Sequence, residues 1–252
     1  MARRRRSIGW LVVSGLVVLG LVGAYFIVDS VLRTYAQNRV RQEIQAGLPE
    51  GVAGDVAVSI GGQSVIWQFF SGSFDRIELT APRLKVAGAQ AAVHLVATDV
   101  PLNTSKALGD VRGTIEMDKE SINTLVARAG VPIGSAVDLG DGRVSYTGDV
   151  TVFGMPLGYR ATARPDVRGG SIILRPTDAE ITTGIGAFNL TGVVERVLGD
   201  KPVTICVSQY LPAGIDLTDV TVTPDRVRLS LHASALKLDE ASLSTTGSCP
   251  SS

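Results

Sequence analysis

Val144-Ser145-Tyr146-Thr147-Gly148-Asp149-Val150-Thr151-Val152 puts an apolar or small residue at every second position, and Leu157-Gly158-Tyr159-Arg160-Ala161-Thr162-Ala163 resumes the alternation after Phe153-Gly154-Met155-Pro156. Successive side chains of a strand point to opposite faces, so each run is a strand with one dry and one wet face. Two such runs joined by so short a link predict an antiparallel hairpin. The same period recurs at Val56/Val58/Ile60, Ile77/Leu79/Ala81, Val111/Gly113/Ile115/Met117 and Val227/Leu229/Leu231/Ala233. Ile215/Leu217 and Val220/Val222 change phase at Thr218-Asp219, as a β-bulge makes them do.

Outside these runs the period lengthens. Leu32, Ala36, Val40, Ile44 and Leu48 recur every four residues beside a polar row of Arg33, Gln37, Arg41 and Gln45, which predicts an amphipathic helix ending near Gly47, Pro49 and Gly51. Helical spacing returns at Ile122, Leu125, Val126 and Ala129 after an Asp118 cap, and at Leu190, Val193, Val194, Val197 and Leu198. No proline-rich linker divides the body, so it reads as one α+β domain. A large sheet with one apolar face and few helices must roll around them or keep an apolar furrow; an ordinary filled core satisfies the same pattern.

Upstream of the domain, the 21 residues Ile8 to Val28 carry no charge, enough at about 1.5 Å per residue to cross a hydrocarbon layer of about 30 Å. Arg3, Arg4, Arg5 and Arg6 precede them and predict a cytoplasmic N-terminus with the body on the far side. A cleaved signal peptide is the alternative, with Val22-Gly23-Ala24 as cleavage site, although Tyr25, Phe26, Ile27 and Val28 prolong the apolar run. The expected organisation is a basic tail over 1–7, a signal-anchor span over 8–28 and an extracytoplasmic (periplasmic-space) domain over 29–252. Lys plus Arg and Asp plus Glu both number 24 in the 252 residues, and without the four arginines the rest is acidic, which argues against nucleic acid. Outside the cytoplasm Cys206 and Cys249 are expected to form a disulfide, two buried free thiols being the alternative.

Catalytic patterns are missing. His94 and His232 stand in no dyad context, two cysteines cannot build a zinc or iron–sulfur set, and there is no nucleophile elbow or phosphate loop. Asp138-Leu139-Gly140-Asp141-Gly142 reads as a strand-connecting turn, lacking the alternating ligands and terminal Glu of a calcium loop. Two stretches are out of character for a soluble surface. Val65-Ile66-Trp67-Gln68-Phe69-Phe70, read as a half-buried strand or loop plug, begins a segment up to Phe74 that holds four of the 13 aromatic residues, and a strand would put Phe69 and Phe70 on opposite faces. The hairpin tip at Phe153-Gly154-Met155-Pro156 carries Phe and Met where polar turn residues are usual.

Three further stretches carry a family resemblance. Gly72-Ser73-Phe74-Asp75-Arg76-Ile77-Glu78-Leu79-Thr80-Ala81-Pro82, Pro202-Val203-Thr204-Ile205-Cys206-Val207-Ser208-Gln209-Tyr210-Leu211-Pro212-Ala213-Gly214 and Leu217-Thr218-Asp219-Val220-Thr221-Val222-Thr223-Pro224-Asp225 resemble the LmeA-like phospholipid-binding family of actinobacteria, formerly a domain of unknown function. The likeness covers roughly residues 30–249. It implies a tubular lipid-binding (TULIP-like) α+β fold, in which a strongly curved antiparallel sheet wraps around a long helix and leaves an apolar cavity for acyl chains. It also implies an envelope role, linked in the founding member to mannan elongation on lipoglycans and to inositol phospholipids, and a partner for Cys206 near the C-terminus, here Cys249.

The expected protein is therefore not an enzyme. It is a membrane-anchored, extracytoplasmic protein that holds a phospholipid's acyl chains in an apolar cleft and supports cell-envelope lipid or lipoglycan assembly. Its expected partners are phospholipid, the membrane and envelope biosynthetic enzymes, with no nucleic acid, metal or cofactor. Candidate lipid contacts, chosen for apolarity alone, are Ile66, Trp67, Phe69, Phe70, Phe74, Phe153, Met155, Leu157 and Tyr159, with Arg160 and Arg164 for the headgroup. The alternatives are an envelope adaptor with a filled core and, below it, a hydrolase using carboxylates such as Asp216 and Asp219.

Overall fold

A computed structural model describes residues 3–47, 51–128, 136–152, 155–183, 186–189 and 203–249, with side chains from residue 18 onward except at 149–157, 181–189, 240 and 243. One helix, α1 (Arg3–Ala46), runs through the uncharged stretch and the amphipathic stretch without a break. It is followed by β1 (Val52–Ala53), β2 (Ala57–Ile60), α2 (Val65–Ser71), β3 (Ser73–Val86), β4 (Ala89–Pro101), β5 (Asp110–Asp118) and α3 (Lys119–Arg128). The second half comprises β6 (Ala136–Gly140), β7 (Arg143–Val152), β8 (Met155–Arg168), β9 (Ser171–Thr183), β10 (Gly186–Asn189), β11 (Val203–Cys206), β12 (Ile215–Val222), β13 (Arg226–Ser234) and α4 (Glu240–Ser244).

Every pairing between described strands is antiparallel. Seven strands form one sheet in the order β1-β3-β4-β5-β13-β12, with β2 also on β3; six form the other in the order β10-β9-β8-β7-β6, with β11 on β9. The hairpin β7–β8 has the expected register, Val144 opposite Ala163 and Val152 opposite Met155. The bulge in β12 falls between Leu217 and Asp219, where the phase changes. The C-terminal strand β13 returns beside β5, pairing Leu231 with Gly113 and Leu229 with Ile115, which lays the apolar rows of both strands on one face.

That face is packed at its two flanks. Val40 and Ile44 of α1 meet Val56, Val58 and Ala81 on the β2–β3 side. Leu217, Leu229 and Leu231 meet Val167 and Ile172 of the second sheet. Between the sheets, Ile122 and Val126 of α3 pack on Val137, Leu139 and Val222. The start of α3 is capped as expected, Asp118 accepting from Ser121 N at 2.7 Å, which holds its carboxyl below the usual carboxylate range. Cys206 and Cys249 are joined in a disulfide that ties β11 to the C-terminal tail.

One expected element is replaced. Residues 65–71 are not a strand or a plug but the short helix α2. Ser64 caps it, its Oγ accepting from Trp67 N, and Gly72 ends it in the left-handed region at φ 84°. Val65 and Gln68, three apart, are its buried face, and Gln68 donates to Gly61 O and accepts from Asp75 N. β4 and β9 add strands that the alternation did not announce. Asp138–Gly140 ends β6, and Asp141–Gly142 is the turn into β7, as expected. The helix expected at 190–198 and the tip residues Phe153 and Gly154 lie outside the described residues.

Candidate functional site

The apolar face of the seven-stranded sheet is covered unevenly. Ala81, Leu217, Leu229, Leu231 and Ala233 are buried, whereas Leu79, Val93, Leu95, Ile115 and Met117, across β3, β4 and β5, are only half-buried. Pairing aligns Leu79 with Leu95, Val93 with Ile115, and Leu95 with Gly113, so these residues form one apolar patch. Gly113 has no side chain because Leu95 occupies the space: a Cβ there would overlap the Leu95 Cδ2 methyl. At one end Leu236, from the segment after β13, closes over Val100, Leu108 and Ala233. A cleft of about 930 Å³ separates Arg39, Gln42, Glu43 and Ala46 of α1 from Leu238 and Ser244 of the C-terminal segment. That volume is in the range of ligand pockets, about 300–1,000 Å³.

The opposite face of the same sheet is polar. Both histidines line one shallow recess of about 460 Å³ with Arg112, Thr114 and Ser230. His232 Nε2 lies 2.6 Å from Asp110 Oδ1, and Arg112 Nε is 3.1 Å from the other oxygen. His94 Nδ1 is 3.2 Å from Thr80 Oγ1. Beside them Glu116 receives Arg226 at 3.0 Å and Arg228 at 2.7 Å, and hydrogen bonds from these two hold its carboxyl below the ordinary value. Both histidines are half-exposed, in keeping with the outward phase read for His232. Asp216 and Asp219 are both exposed. Among the described residues no group of three or more His, Cys, Asp or Glu could hold a metal ion.

The expected lipid contacts fall in three places. Ile66, Trp67, Phe69 and Phe70 share α2, where Trp67 is 73%, Phe69 62% and Phe70 80% exposed. Phe74 instead packs against the cluster of Val100, Leu108, Ala233 and Leu236. Tyr159 is on β8, on the same face as Tyr146, their rings 6.3 Å apart. Leu157 and Met155 occupy β8 register positions opposite Val150 and Val152, and Phe153 lies outside the described residues.

Arg160 pairs across to Thr147 and Glu180 on the other face of β8, and Arg164 is exposed opposite Arg175. Around Arg160 a recess of about 380 Å³ gathers Asp138, Asp141, Asp178 and Glu180 against Arg143 and Arg160, so an anionic headgroup there meets more negative than positive charge. Lys119 already neutralises Asp138 and keeps its carboxyl below the usual range.

Sequence patterns missed how α2 is held. Asp29, the first charge after the uncharged run, is buried, and its Oδ1 accepts from Ser64 Oγ at 2.8 Å and Ile66 N at 3.1 Å. Tyr25 Oη donates to the same Ser64 Oγ at 2.5 Å. Arg33 donates to the carbonyls of Ile60, Gly62 and Gln63 at 2.7, 3.1 and 3.2 Å. The available signal was the Ser64 and Gly72 pair bracketing the aromatic run, a cap and a stop with seven residues between them.

The model of the LmeA-like phospholipid-binding family matches residues 27–232, and the chain belongs to that family. No curated protein and no solved structure gives a significant match.

Proposed function

We propose, from membership of a phospholipid-binding family, that this protein is anchored in a membrane by α1 and holds the acyl chains of a phospholipid against the apolar face of its seven-stranded sheet. The observation that carries the reading is the half-buried row Leu79, Val93, Leu95, Ile115 and Met117 in the middle of the sheet, of which Leu79 and Val93 border the cluster beside α1 and Ile115 borders the cluster under the second sheet. A filled core buries such central positions most, so a patch left half-covered there is suited to an apolar guest. Burying a 16-carbon chain would yield on the order of 10 kcal/mol before costs, at about 0.8 kcal/mol per methylene. α1 and the sheet form the two walls of a tube in this reading, and the cleft between α1 and Leu238 lies at the C-terminal end of α1.

The domain stands on the extracytoplasmic side, a topology supported by Arg3–Arg6 ahead of the uncharged run and by the disulfide. The hairpin sequence with Phe153, Met155, Leu157 and Tyr159 offers a second apolar stretch, and Arg160 and Arg164 are the headgroup candidates, of which Arg160 is crowded by carboxylates. No covalent chemistry is assigned. The role is support of envelope lipid or lipoglycan (mannan) assembly, with inositol phospholipid as lipid class and envelope biosynthetic enzymes as partners, as the resemblance implies.

The test is photo-crosslinking of the full chain in vesicles that contain a phospholipid with a diazirine on the acyl chain. Adducts in peptides from β3, β4 and β5, reduced at least several-fold by Leu95→Trp, are the expected result. Adducts confined to α1 and α2 would sink the acyl site.

A further inference from the structure

We infer that α2 and the turn of α1 that holds it form a rigid foot, which seats Trp67, Phe69 and Phe70 in the headgroup–acyl boundary of the bilayer that α1 crosses. The inference rests on the reading of α1 as a span. It assigns three aromatic residues to the membrane surface beside the anchor, not to the lining of an internal lipid cavity.

Three observations converge on it. First, α2 reads Val-Ile-Trp-Gln-Phe-Phe-Ser, without one charge, and turns its three large rings outward while Val65 and Gln68 face the protein. The Phe69 and Phe70 rings meet edge-on at 6.1 Å, so they form a small apolar surface and not scattered exposures. Second, the position of that surface is fixed. Tyr25 and Asp29, one turn apart and so about 6 Å along the helix, both bond to the start of α2 through Ser64 and Ile66. The helix start is therefore held level with Val28, the last residue of the uncharged run. Third, the apolar surface is continuous in kind with the helix beside it, where Leu21, Phe26, Ile27 and Val28 are 50% or more exposed.

Trp and other amphipathic aromatics favour this depth, where the ring lies among the upper acyl carbons and polar groups face water. A soluble protein partner is disfavoured as occupant, since at the level of Val28 the headgroup layer is already there. Arg33 adds rigidity on the water side: its three bonds to the carbonyls of Ile60, Gly62 and Gln63 fasten the loop before α2 one turn above Asp29.

The chain has two tryptophans, Trp10 and Trp67, which makes the test direct. Full-length Trp10→Phe protein is reconstituted in phosphatidylcholine vesicles brominated either near the top or near the end of the acyl chain. The expected result is blue-shifted Trp67 emission, quenched at least two-fold more by the shallow bromines than by the deep ones, with Asp29→Ala reducing that quenching by half or more. In parallel, Trp67→Phe protein reports on Trp10 in α1. Trp10 quenched with Trp67 unquenched and water-like overturns the foot and leaves the span standing. Neither residue quenched removes the span, and the foot with it. Trp67 quenched chiefly by the deep bromines also overturns the foot, because it places the ring inside the hydrocarbon core.

Discussion

Gly170 adopts φ +75°, and its carbonyl accepts from Val207 N and Ser208 N, both at 3.1 Å, beside the disulfide of Cys206 and Cys249. A Cβ at this position would overlap Ser208 Oγ, so backbone and packing both demand glycine. Gly170→Ala should cost more than the about 1–2 kcal/mol of left-handed strain alone. Gly142→Ala, at φ +63° with open space around it, should cost no more than that strain, and urea unfolding of the two variants makes the comparison. Glu116 makes a prediction of the opposite character. Its carboxyl is held below the ordinary value of 4.5 by Arg226 and Arg228, so its contribution is complete above about pH 4.5 and is lost as pH falls through the lower, folded value. Both arginines are more than half exposed, so solvent keeps the contribution modest. Glu116→Gln should flatten the melting temperature against pH in the range below 4.5 and leave its slope near neutrality unchanged.

The elements differ in how far their sequences announce them. Strands with one wet face, such as β7, β8 and β13, carry a period of two over many residues, and the structure returns them with the expected register and bulge. α2 has seven residues, fewer than two turns, so it offers no period to read, and its surplus of rings imitates a buried strand. The pairing of β13 with β5 joins residues 110 apart, as between Glu116 and Arg226, and no local pattern carries such a choice of neighbour. The candidate site was legible to the same degree: the aromatic cluster was visible as a list of residues, but its orientation depended on Asp29 and Ser64, which sit 35 residues apart. Ser64→Ala removes both the cap of α2 and an acceptor for Tyr25. It should cost about 0.5–2 kcal/mol and speed amide exchange at Trp67 and Gln68, with exchange in β3–β5 unaltered.

For the whole molecule, stability depends on how two sheets and a tail are pinned together. Leu217, Leu229 and Leu231 join the sheets, and the disulfide closes a separation of 43 residues between β11 and the tail. Replacing Cys206 and Cys249 together by Ser should lower unfolding free energy by about 2–4 kcal/mol, measured in denaturant without reductant. Little change would mean that the tail contacts around Leu236 suffice. The continuity of α1 has a further consequence. If the proposed span ends at Val28, the remaining helix from Asp29 to Ala46 rises about 27 Å at 1.5 Å per residue, and α1 is unbroken up to Val40 and Ile44, where the folded body packs on it. On the proposed reading of α1 as a membrane span, such a protein would be a fixture of the bilayer with a fixed height and heading, not a ferry. Cargo would then come to it by sideways diffusion in the bilayer, and any onward journey across an aqueous gap would belong to a second, freely diffusing carrier or to a neighbour within its short reach.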